Sequence, residues 1–545
     1  MTKRDSYIKG ATLLAGGMLI AKIIGAIYRI PLTNIIGAEG IGLYQLIFPV
    51  YALLITITGS GIPIIISRLI AERRIEGDYK GAKALFKVSL KFFMIIGLIA
   101  ALILLIFSRA LANIQANSNI AIGYQLIAPA ILLSTGIAVY RGWFQGNMNM
   151  FPSAISQMTE QIIKLIIGLL FAQLLLPRGV NYAVWGAIIS ITLSELLTLI
   201  ALMIHYKLKQ RKPQVEYFPV DNIIEKRINS KDIIKELLQV MVPITLGGIM
   251  LPLVQFIDSL MIVNILKSIG NSGVDATKMY GILTGPVGSL INMPVVLTLA
   301  FAVTAIPVIS SSRVKRDINS IRAKGAMSIK LTFAIGVPSS LALFALAEPL
   351  MSVLYGKLSS SEIQLAAGLM KVASLSIILL SIMQIYTALL QSIDRAYTPF
   401  INMAIGSVIK VALTIILIKQ IGIYGAVVST IIAYSVVAVL NIIAIVRWTG
   451  KNEKLTQNIS TILFSGVIMS LSVVYLTKIL TNNLIILTLG IIIGVIVYGL
   501  SLILMNTFTR DELKGMPLSR LFLWLTNTVR FWEKANDYSS RDGKE

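Results

Sequence analysis

The chain has 545 residues, of which 56% are hydrophobic and 13% charged, and its formal net charge is +23. A mean hydropathy of +0.82 excludes a soluble globular domain, because a water-facing surface needs more polar residues than this. The absence of cysteine excludes disulfides, thiolate metal sites and cysteine nucleophiles.

Apolar stretches of about 20 residues follow one another along the chain, which is the length that one helix needs to cross a bilayer. Each span must satisfy its own backbone hydrogen bonds in lipid, so we predict an all-α polytopic membrane protein. The fourteen predicted spans are 10–33, 42–67, 88–108, 119–141, 152–177, 182–206, 237–266, 279–310, 327–355, 363–390, 399–418, 421–446, 457–478 and 483–507. We expect the first to be retained, because its apolar region is too long for a cleaved signal peptide.

Lysine and arginine gather in alternate loops. The basic loops are 68–87, 207–235, 313–324 and 447–454, whereas most intervening loops hold one cation each. This positive-inside pattern predicts that both termini lie in the cytoplasm, in agreement with an even number of spans. Because the cations gather in these loops, the net charge of +23 does not indicate that the protein binds nucleic acid.

Spans 1–6 and 7–12 are related by a repeat. Tyr140, Gln145, Pro152 and Lys164 recur about 246 positions later as Tyr386, Gln391, Pro399 and Lys410, and the run 186–190 recurs at 425–429. The two lobes share one topology, so an axis along the membrane normal should relate them. A doubled membrane protein usually holds its substrate between its halves, which favours a transporter.

The repeat and the charges together predict five regions. They are an N-lobe at 1–206, a basic cytoplasmic linker at 207–236, a C-lobe at 237–446, spans 13 and 14 within 447–507, and a cytoplasmic tail at 508–545. Residues 518–532 of the tail have apolar residues at helical spacing beside basic ones. That pattern predicts an amphipathic helix on the anionic inner leaflet.

Two cations in span 1 are the first candidate binding residues. Lys22 and Arg29 lie seven residues apart, two turns along one helical face, and neither has an acidic residue nearby in that span. A charge inside a membrane helix usually faces a partner or a wet cavity. Two cations facing a cavity suit a phosphate-bearing substrate, whereas the alternative is that both side chains extend toward an interface.

The other intramembrane charges suggest ion pairs. Glu160 and Lys164 in span 5 are four residues apart and could pair along the helix. The second lobe keeps the lysine as Lys410 but has no glutamate at the matching position, so we expect Asp258 in span 7 to be its partner. Such a pair is either structural or a coupling site that protons or cations control. Glu195 in span 6 could neutralise a first-lobe cation.

Enzyme signatures are scarce. His205 is the single histidine and lies at the cytoplasmic end of span 6, and no His/Asp/Glu cluster has metal-ligand spacing. No phosphate-binding P-loop is present. We therefore predict a protein that is not an enzyme and has no metal or cofactor. Glycine and proline at Gly61, Pro63, Gly285 and Pro286 predict helix breaks in spans 2 and 8, of the kind tolerated beside a cavity.

The motifs RGWFQG at 141–146 and PSAISQMTEQIIK at 152–164, with 22–25 and 35–38, resemble those of the multidrug/oligosaccharidyl-lipid/polysaccharide (MOP) exporter superfamily. Within it, the chain is similar over essentially its whole length to the Gram-positive polysaccharide-biosynthesis branch, which includes stage V sporulation protein B and MurJ-type lipid II flippases. The resemblance implies a two-lobed flippase of the bacterial cytoplasmic membrane. It would move an undecaprenyl-pyrophosphate-linked saccharide outward through a cationic cavity, with the lipid tail in the bilayer.

The same resemblance bears on single residues. Lys22 matches a cavity arginine, Arg29 lies one residue beyond another, and Asp258 matches an aspartate that helps bind sodium in some members. Two departures stand out, because Ser289 lies near the position of a span-8 arginine and Lys410 near that of a cation-ligating asparagine. We therefore expect coupling to the membrane potential or protons rather than to sodium.

These observations predict a lipid II flippase that works by alternating access, with peptidoglycan synthesis, cell wall biogenesis and cell shape depending on it. Lys22 and Arg29 would hold the pyrophosphate, helped by Arg141 and Lys164, while Asp258, Lys410 and Glu160 are coupling candidates. Its partners would be the lipid-linked substrate, membrane lipids and cell-wall synthases. The alternatives are an exporter of another lipid-linked saccharide for sporulation or capsule, a cation-coupled drug exporter of the superfamily, and a membrane enzyme acting on lipid-linked sugars.

Overall fold

The structure is a computed structural model that describes residues 3–210, 230–315, 317–395, 397–450, 453–508 and Glu512. Most of the predicted linker and nearly all of the predicted tail, including 518–532, lie outside these residues. In the described part every regular element is a helix, as expected for backbone that must pair its hydrogen bonds within lipid.

Seventeen α-helices account for the described chain, joined in two places by a 3₁₀ turn (Leu176–Arg178) and a π-helical turn (Leu283–Val287). They are α1 (Lys3–Gly59), α2 (Ile62–Ile75), α3 (Tyr79–Ile114), α4 (Ile120–Gly146), α5 (Phe151–Leu175), α6 (Val180–Gln210), α7 (Ser230–Ser268), α8 (Gly273–Ile282), α9 (Gly288–Val314), α10 (Ile318–Ala345), α11 (Ala347–Leu354), α12 (Ser360–Ala373), α13 (Leu375–Ser392), α14 (Tyr397–Ile421), α15 (Tyr424–Thr449), α16 (Glu453–Ile479) and α17 (Asn483–Leu504).

The described helices contain 13 segments that are long and apolar enough to cross a membrane, so the chain is a multi-pass membrane protein. The first segment, Gly16–Ile75, has 60 residues and includes predicted spans 1 and 2. Each of the other twelve predicted spans overlaps one further segment. The all-α polytopic prediction is confirmed.

Helix α1 is divided by a backbone kink. A straight helix of its 57 residues would measure about 85 Å, far more than the ~30 Å hydrocarbon core. Gly37 interrupts it with φ 70° and ψ −175°, a combination open to glycine and nearly closed to residues with a Cβ. The two parts of α1 therefore correspond to two separate spans.

The breaks expected in spans 2 and 8 are present. Helix α1 ends at Gly59 and α2 begins at Ile62, with Pro63 in the first turn of α2, where a missing N–H is harmless. In span 8 the π-helical turn carries Pro286 between α8 and α9. Such turns are frequent at functional sites.

The helices pack into two compact units. Unit 1 comprises 1–296, 355–366 and 396–433, and unit 2 comprises 297–354, 367–395 and 434–545. Within unit 1, α7 and α8 pack on α1, and α14 packs on α7. Packing thus groups the helices differently from the predicted N- and C-lobes, and the lobe boundaries stay a prediction.

Each unit has its own apolar core. In unit 1 the core lies among α2, α3, α4 and α6 and includes Phe86, Tyr140 and Phe144. In unit 2 it lies among α9, α10, α13 and α15 and includes Phe333 and Ile385. Unit 1 also uses small residues for close packing, since a Cβ at Gly97 would lie 2.4 Å from Thr135 Oγ1. Small residues at helix contacts are typical of membrane bundles.

The internal repeat is visible in local backbone geometry. The loop after α4 places Met148 at φ 57°, and the loop after α13, 246 residues later, places Asp394 at φ 59°. The N–H of Met148 donates to the Gln145 carbonyl at 2.9 Å, and that of Asp394 to the Gln391 carbonyl at 3.2 Å. The same turn therefore ends the corresponding helix in both repeats.

The kink in α1 yields a stability prediction. We expect Gly37→Ala to destabilise the protein by about 1–3 kcal/mol, because alanine is strained at this φ and ψ although no neighbouring atom would clash. Gly16→Ala is the matched control, since Gly16 lies inside α1 with equal space around it and alanine favours a helix by about 1 kcal/mol. Thermal denaturation of the purified variants should show a lower midpoint for Gly37→Ala alone. An equal midpoint for both variants would contradict the inferred kink.

Candidate functional site: a cation cluster and two buried ion pairs

A cluster of cations and aromatic rings lies between α1 and α5 in unit 1. The Arg29 guanidinium carbon is 5.5 Å from the centre of the Phe48 ring, and Lys164 Nζ is 5.3 Å from the same centre. Lys164 Nζ also lies 5.7 Å from the ring centre of Tyr28, which is buried. The negative faces of these rings stabilise cations where water is scarce. We call Arg29, Lys164, Tyr28 and Phe48 the cation cluster.

Neither cation of the cluster pairs with a carboxylate within 4 Å in the part of the chain that the structure describes. Arg29 Nη1 instead donates a weak hydrogen bond of 3.5 Å to Ser289 Oγ. Ser289 lies near the position at which the family resemblance places a span-8 arginine. Two neighbouring cations that share a ring repel one another. An anion bound between them would remove that repulsion.

Lys22 lies two turns from Arg29 on the same face of α1. Its side chain is exposed. Between Lys22 and Arg29, a Cβ at Gly25 would lie 3.0 Å from Gln161 Oε1 of α5. This contact shows that the face of α1 that carries both cations packs beside α5.

Arg141 and Glu160 form the first ion pair. Arg141 Nη2 lies 2.8 Å from Glu160 Oε2, and Arg141 Nε donates to Ser156 Oγ at 2.9 Å. Both side chains are about 15% exposed. The expected pairing of Glu160 with Lys164 is therefore wrong, because the glutamate reaches across from α5 to α4. The Glu160 carboxylate neutralises Arg141, whereas Lys164 contacts the aromatic rings of Tyr28 and Phe48.

Glu195 is buried next to this pair. The Tyr51 hydroxyl donates to Glu195 Oε1 at 3.1 Å, and Glu160, Arg141 and Lys164 are close enough to act on it electrostatically. That Glu195 neutralises a first-lobe cation stays a prediction, because the contact of its carboxylate described here is with the Tyr51 hydroxyl. Tyr51 lies 144 positions away in the sequence, so no local pattern could have indicated it.

Asp258 and Lys410 form the second ion pair, as expected. Asp258 Oδ2 of α7 contacts Lys410 Nζ of α14, and the lysine side chain is 5% exposed. The adjacent Ser259 accepts a hydrogen bond of 2.9 Å from Gln115 Nε2. The lysine ammonium thus lies directly against the Asp258 carboxylate and neutralises its charge.

The described residues include no group of three or more His, Asp or Glu side chains arranged to hold a metal. His205 is exposed, with its ring centre 5.2 Å from that of Phe144. The arrangement of Arg29 and Lys164 in unit 1 is suited to binding an anion.

Residues 7–313 match the family model described as polysaccharide biosynthesis protein. Stage V sporulation protein B of Bacillus subtilis (strain 168) is 27% identical over 522 residues, 94% of this chain and 98% of that protein. Lipid II flippase MurJ of the same organism is 26% identical over 464 residues, 83% and 84% of the two chains. A solved structure of lipid II flippase MurJ in an inward closed conformation superposes with a TM-score of 0.68 at 16% identity, covering 90% of this chain and 98% of that one.

Proposed function

Because this chain belongs to the polysaccharide biosynthesis protein family, within the MOP superfamily, we propose that it is a flippase. Its substrate would be an undecaprenyl-pyrophosphate-linked cell-wall precursor, lipid II first among them, moved from the inner to the outer leaflet. It would lie in the bacterial cytoplasmic membrane with both termini in the cytoplasm, and cell-wall synthases would use its product.

The observation that carries the proposal is the cation cluster. Arg29 and Lys164 lie beside one ring and have no carboxylate within ion-pair distance among the described residues. A pyrophosphate supplies two adjacent anionic groups, which Arg grips through two parallel hydrogen bonds and Lys through a point charge. Lys22, on the same face of α1, would meet the head group at the edge of the cluster.

Arg141 and Glu160 would act differently. Their 2.8 Å pair is already neutral, so Arg141 would hold phosphate only after leaving the glutamate. We infer that this exchange belongs to the alternating-access cycle, with Glu160 becoming free to take a proton. Asp258 and Lys410 would form the second switching element, without a sodium ion.

The substrate can be tested in cells in which this chain is the only flippase. Depleting the protein should remove most of the lipid II that an impermeant cleaving enzyme reaches from outside. Wild type should restore it, and Lys22→Ala should not. Unchanged exposure of lipid II after depletion would exclude lipid II as the substrate.

A second candidate is the export of another lipid-linked oligosaccharide. It is favoured by the similarity to stage V sporulation protein B, which spans 94% of this chain. In that case depletion would leave vegetative growth intact and remove one polymer, such as a spore-wall saccharide. The chemistry proposed for the cation cluster would be the same, because both substrates carry a pyrophosphate.

A further inference from the structure

Tyr355 carries a buried hydroxyl group that the proposed function does not use. The residue follows directly after α11 and is 0% exposed. Its Oη has no hydrogen-bond partner among the residues that the structure describes. A buried O–H group without an acceptor has lost its hydrogen bonds to water and gained none in exchange, and such groups are rare in folded proteins. This hydroxyl therefore points to a partner that is not part of the chain.

The segment that carries Tyr355 packs with unit 1, although it comes from the second half of the chain. Residues 355–366 belong to unit 1, whereas the segments on either side of them belong to unit 2. The N–H of Lys357 donates a hydrogen bond of 3.4 Å to Asn34 Oδ1 of α1. Asn34 lies five positions after Arg29, so this contact holds the segment beside the part of α1 that contributes to the cation cluster.

Arg29 is the charged residue that acts on Tyr355. Its guanidinium is close enough to influence the Tyr355 hydroxyl electrostatically, yet the two side chains form no hydrogen bond with each other. A guanidinium carries donors and no acceptor, and the hydrogen bond that Arg29 donates to Ser289 Oγ is long, at 3.5 Å. The hydroxyl of Tyr355 and the guanidinium of Arg29 therefore lack the same thing, an oxygen atom that accepts hydrogen bonds.

An anion bound between Arg29 and Tyr355 would supply that oxygen atom. A phosphate oxygen accepts hydrogen bonds from charged and from neutral donors, and an O–H bonded to an anionic oxygen forms a short, strong hydrogen bond. Arg29 would contribute one positive charge and Tyr355 a neutral donor. Lys164, which lies beside the same Phe48 ring as Arg29, would contribute the second positive charge.

The predicted spans place Tyr355 at the outer end of the transport path. Span 9 (327–355) begins after a basic loop that is predicted to be cytoplasmic, so it ends on the outer side at Tyr355. Arg29 likewise lies near the outer end of span 1 (10–33). Tyr355 would therefore contact the head group of the substrate from the side toward which that head group leaves.

We propose that Tyr355 is a further binding residue of the cation cluster, whose hydroxyl donates a hydrogen bond to a phosphate oxygen of the substrate. This inference rests on the proposed function and adds to it a neutral donor from the second half of the chain. The unpaired hydroxyl makes the free protein less stable than it would be with a phenylalanine at this position. Binding of the anion removes that disadvantage.

Replacing Tyr355 with phenylalanine tests the proposal, because it removes the hydroxyl and keeps the ring. The purified variant should bind farnesyl pyrophosphate, a soluble prenyl pyrophosphate, about tenfold more weakly than wild type, since a hydrogen bond to a charged group is lost. Without ligand, the midpoint of its thermal denaturation should equal or exceed that of wild type. A purely structural role of the hydroxyl predicts the reverse, which is a lower midpoint and unchanged binding.

Tyr124→Phe is the matched control. Tyr124 is also 0% exposed, but its hydroxyl donates a hydrogen bond to Gln115 Oε1. Removing this hydroxyl should lower the midpoint of thermal denaturation, because Gln115 loses a partner in the interior, and should leave the binding of farnesyl pyrophosphate unchanged. Arg29→Ala is the positive control and should weaken binding in the same assay.

Three results would overturn the proposal. They are an absence of saturable binding of farnesyl pyrophosphate to wild type, equal binding by wild type and Tyr355→Phe, and a Tyr355→Phe protein that does not fold, which would show that the hydroxyl has a structural partner.

Flipping of labelled lipid II by the same purified proteins separates this inference from the proposed function. Weaker binding by Tyr355→Phe together with no flipping by wild type would support the role of Tyr355 and exclude transport of lipid II. Equal binding by the two proteins together with flipping by wild type would overturn the role of Tyr355 and leave the proposed function in place.

Discussion

Replacing Arg29 with alanine should slow the outward flipping of lipid II by about ten- to one-hundredfold, and Lys164→Ala should do the same. A hydrogen bond to a charged group is worth about 1.5–3 kcal/mol, and each 1.4 kcal/mol changes affinity tenfold. Both side chains lie at Phe48 without a carboxylate within 4 Å among the residues described, so a bound pyrophosphate would be their main counter-charge. Flipping of labelled lipid II in vesicles that contain each purified variant measures the effect.

Two controls separate binding from loss of structure. Arg109→Ala and Lys91→Ala remove exposed cations from α3 and should leave flipping unchanged. Arg29→Lys should lie between wild type and Arg29→Ala, because lysine keeps the charge but not the paired hydrogen-bond geometry. Normal flipping by a folded Arg29→Ala, Lys164→Ala double variant would show that the cation cluster does not bind substrate.

The Asp258–Lys410 pair should have a large effect on stability. Asp258→Asn or Lys410→Met alone should destabilise the protein by about 3–5 kcal/mol, because each leaves a buried charge without its partner. The double variant should recover most of the lost stability, because it buries no net charge. The midpoints of thermal denaturation for the two single variants and the double variant measure this coupling.

Transport by the double variant distinguishes a structural pair from a coupling element. If the pair only stabilises α7 against α14, the double variant should flip substrate normally. If the pair switches during transport, the double variant should be folded but inactive, which is our expectation. Additive destabilisation by the two single changes would contradict any direct interaction. A wild-type rate that followed an imposed sodium gradient at fixed potential would contradict transport without sodium.

Much of the fold could be predicted from the sequence, because lipid imposes simple constraints. Span length follows from bilayer thickness, and backbone pairing permits only helices. The helix breaks at Gly61 and Pro286 could be predicted because glycine and proline change the backbone at their own positions, whatever packs around them. The partner of Lys410 was predictable because the second repeat has no glutamate at the position that matches Glu160. Few other acidic residues lie within the predicted spans, and Asp258 is one of them.

The candidate site was only partly predictable, because its contacts join distant residues. Glu160 was expected to pair with Lys164 four residues away, since helical spacing is the one distance that a sequence supplies. The structure places Arg141 of α4 closer to it. Phe48 lies in the second half of α1, beyond the break at Gly37, and therefore in a different predicted span from Arg29 and from Lys164. No sequence pattern indicated that Arg29 and Lys164 would share its ring.

The central claim is that this chain moves a pyrophosphate-linked lipid saccharide across the bilayer. It is tested most directly by placing purified protein in vesicles that carry fluorescent lipid II in both leaflets, then adding an impermeant reductant that bleaches the outer leaflet. We predict that wild-type vesicles lose nearly all their fluorescence, while vesicles with the Arg29→Ala, Lys164→Ala double variant lose only the outer share. Loss of only the outer share with folded wild-type protein, for lipid II and for other undecaprenyl-linked saccharides, would contradict the account.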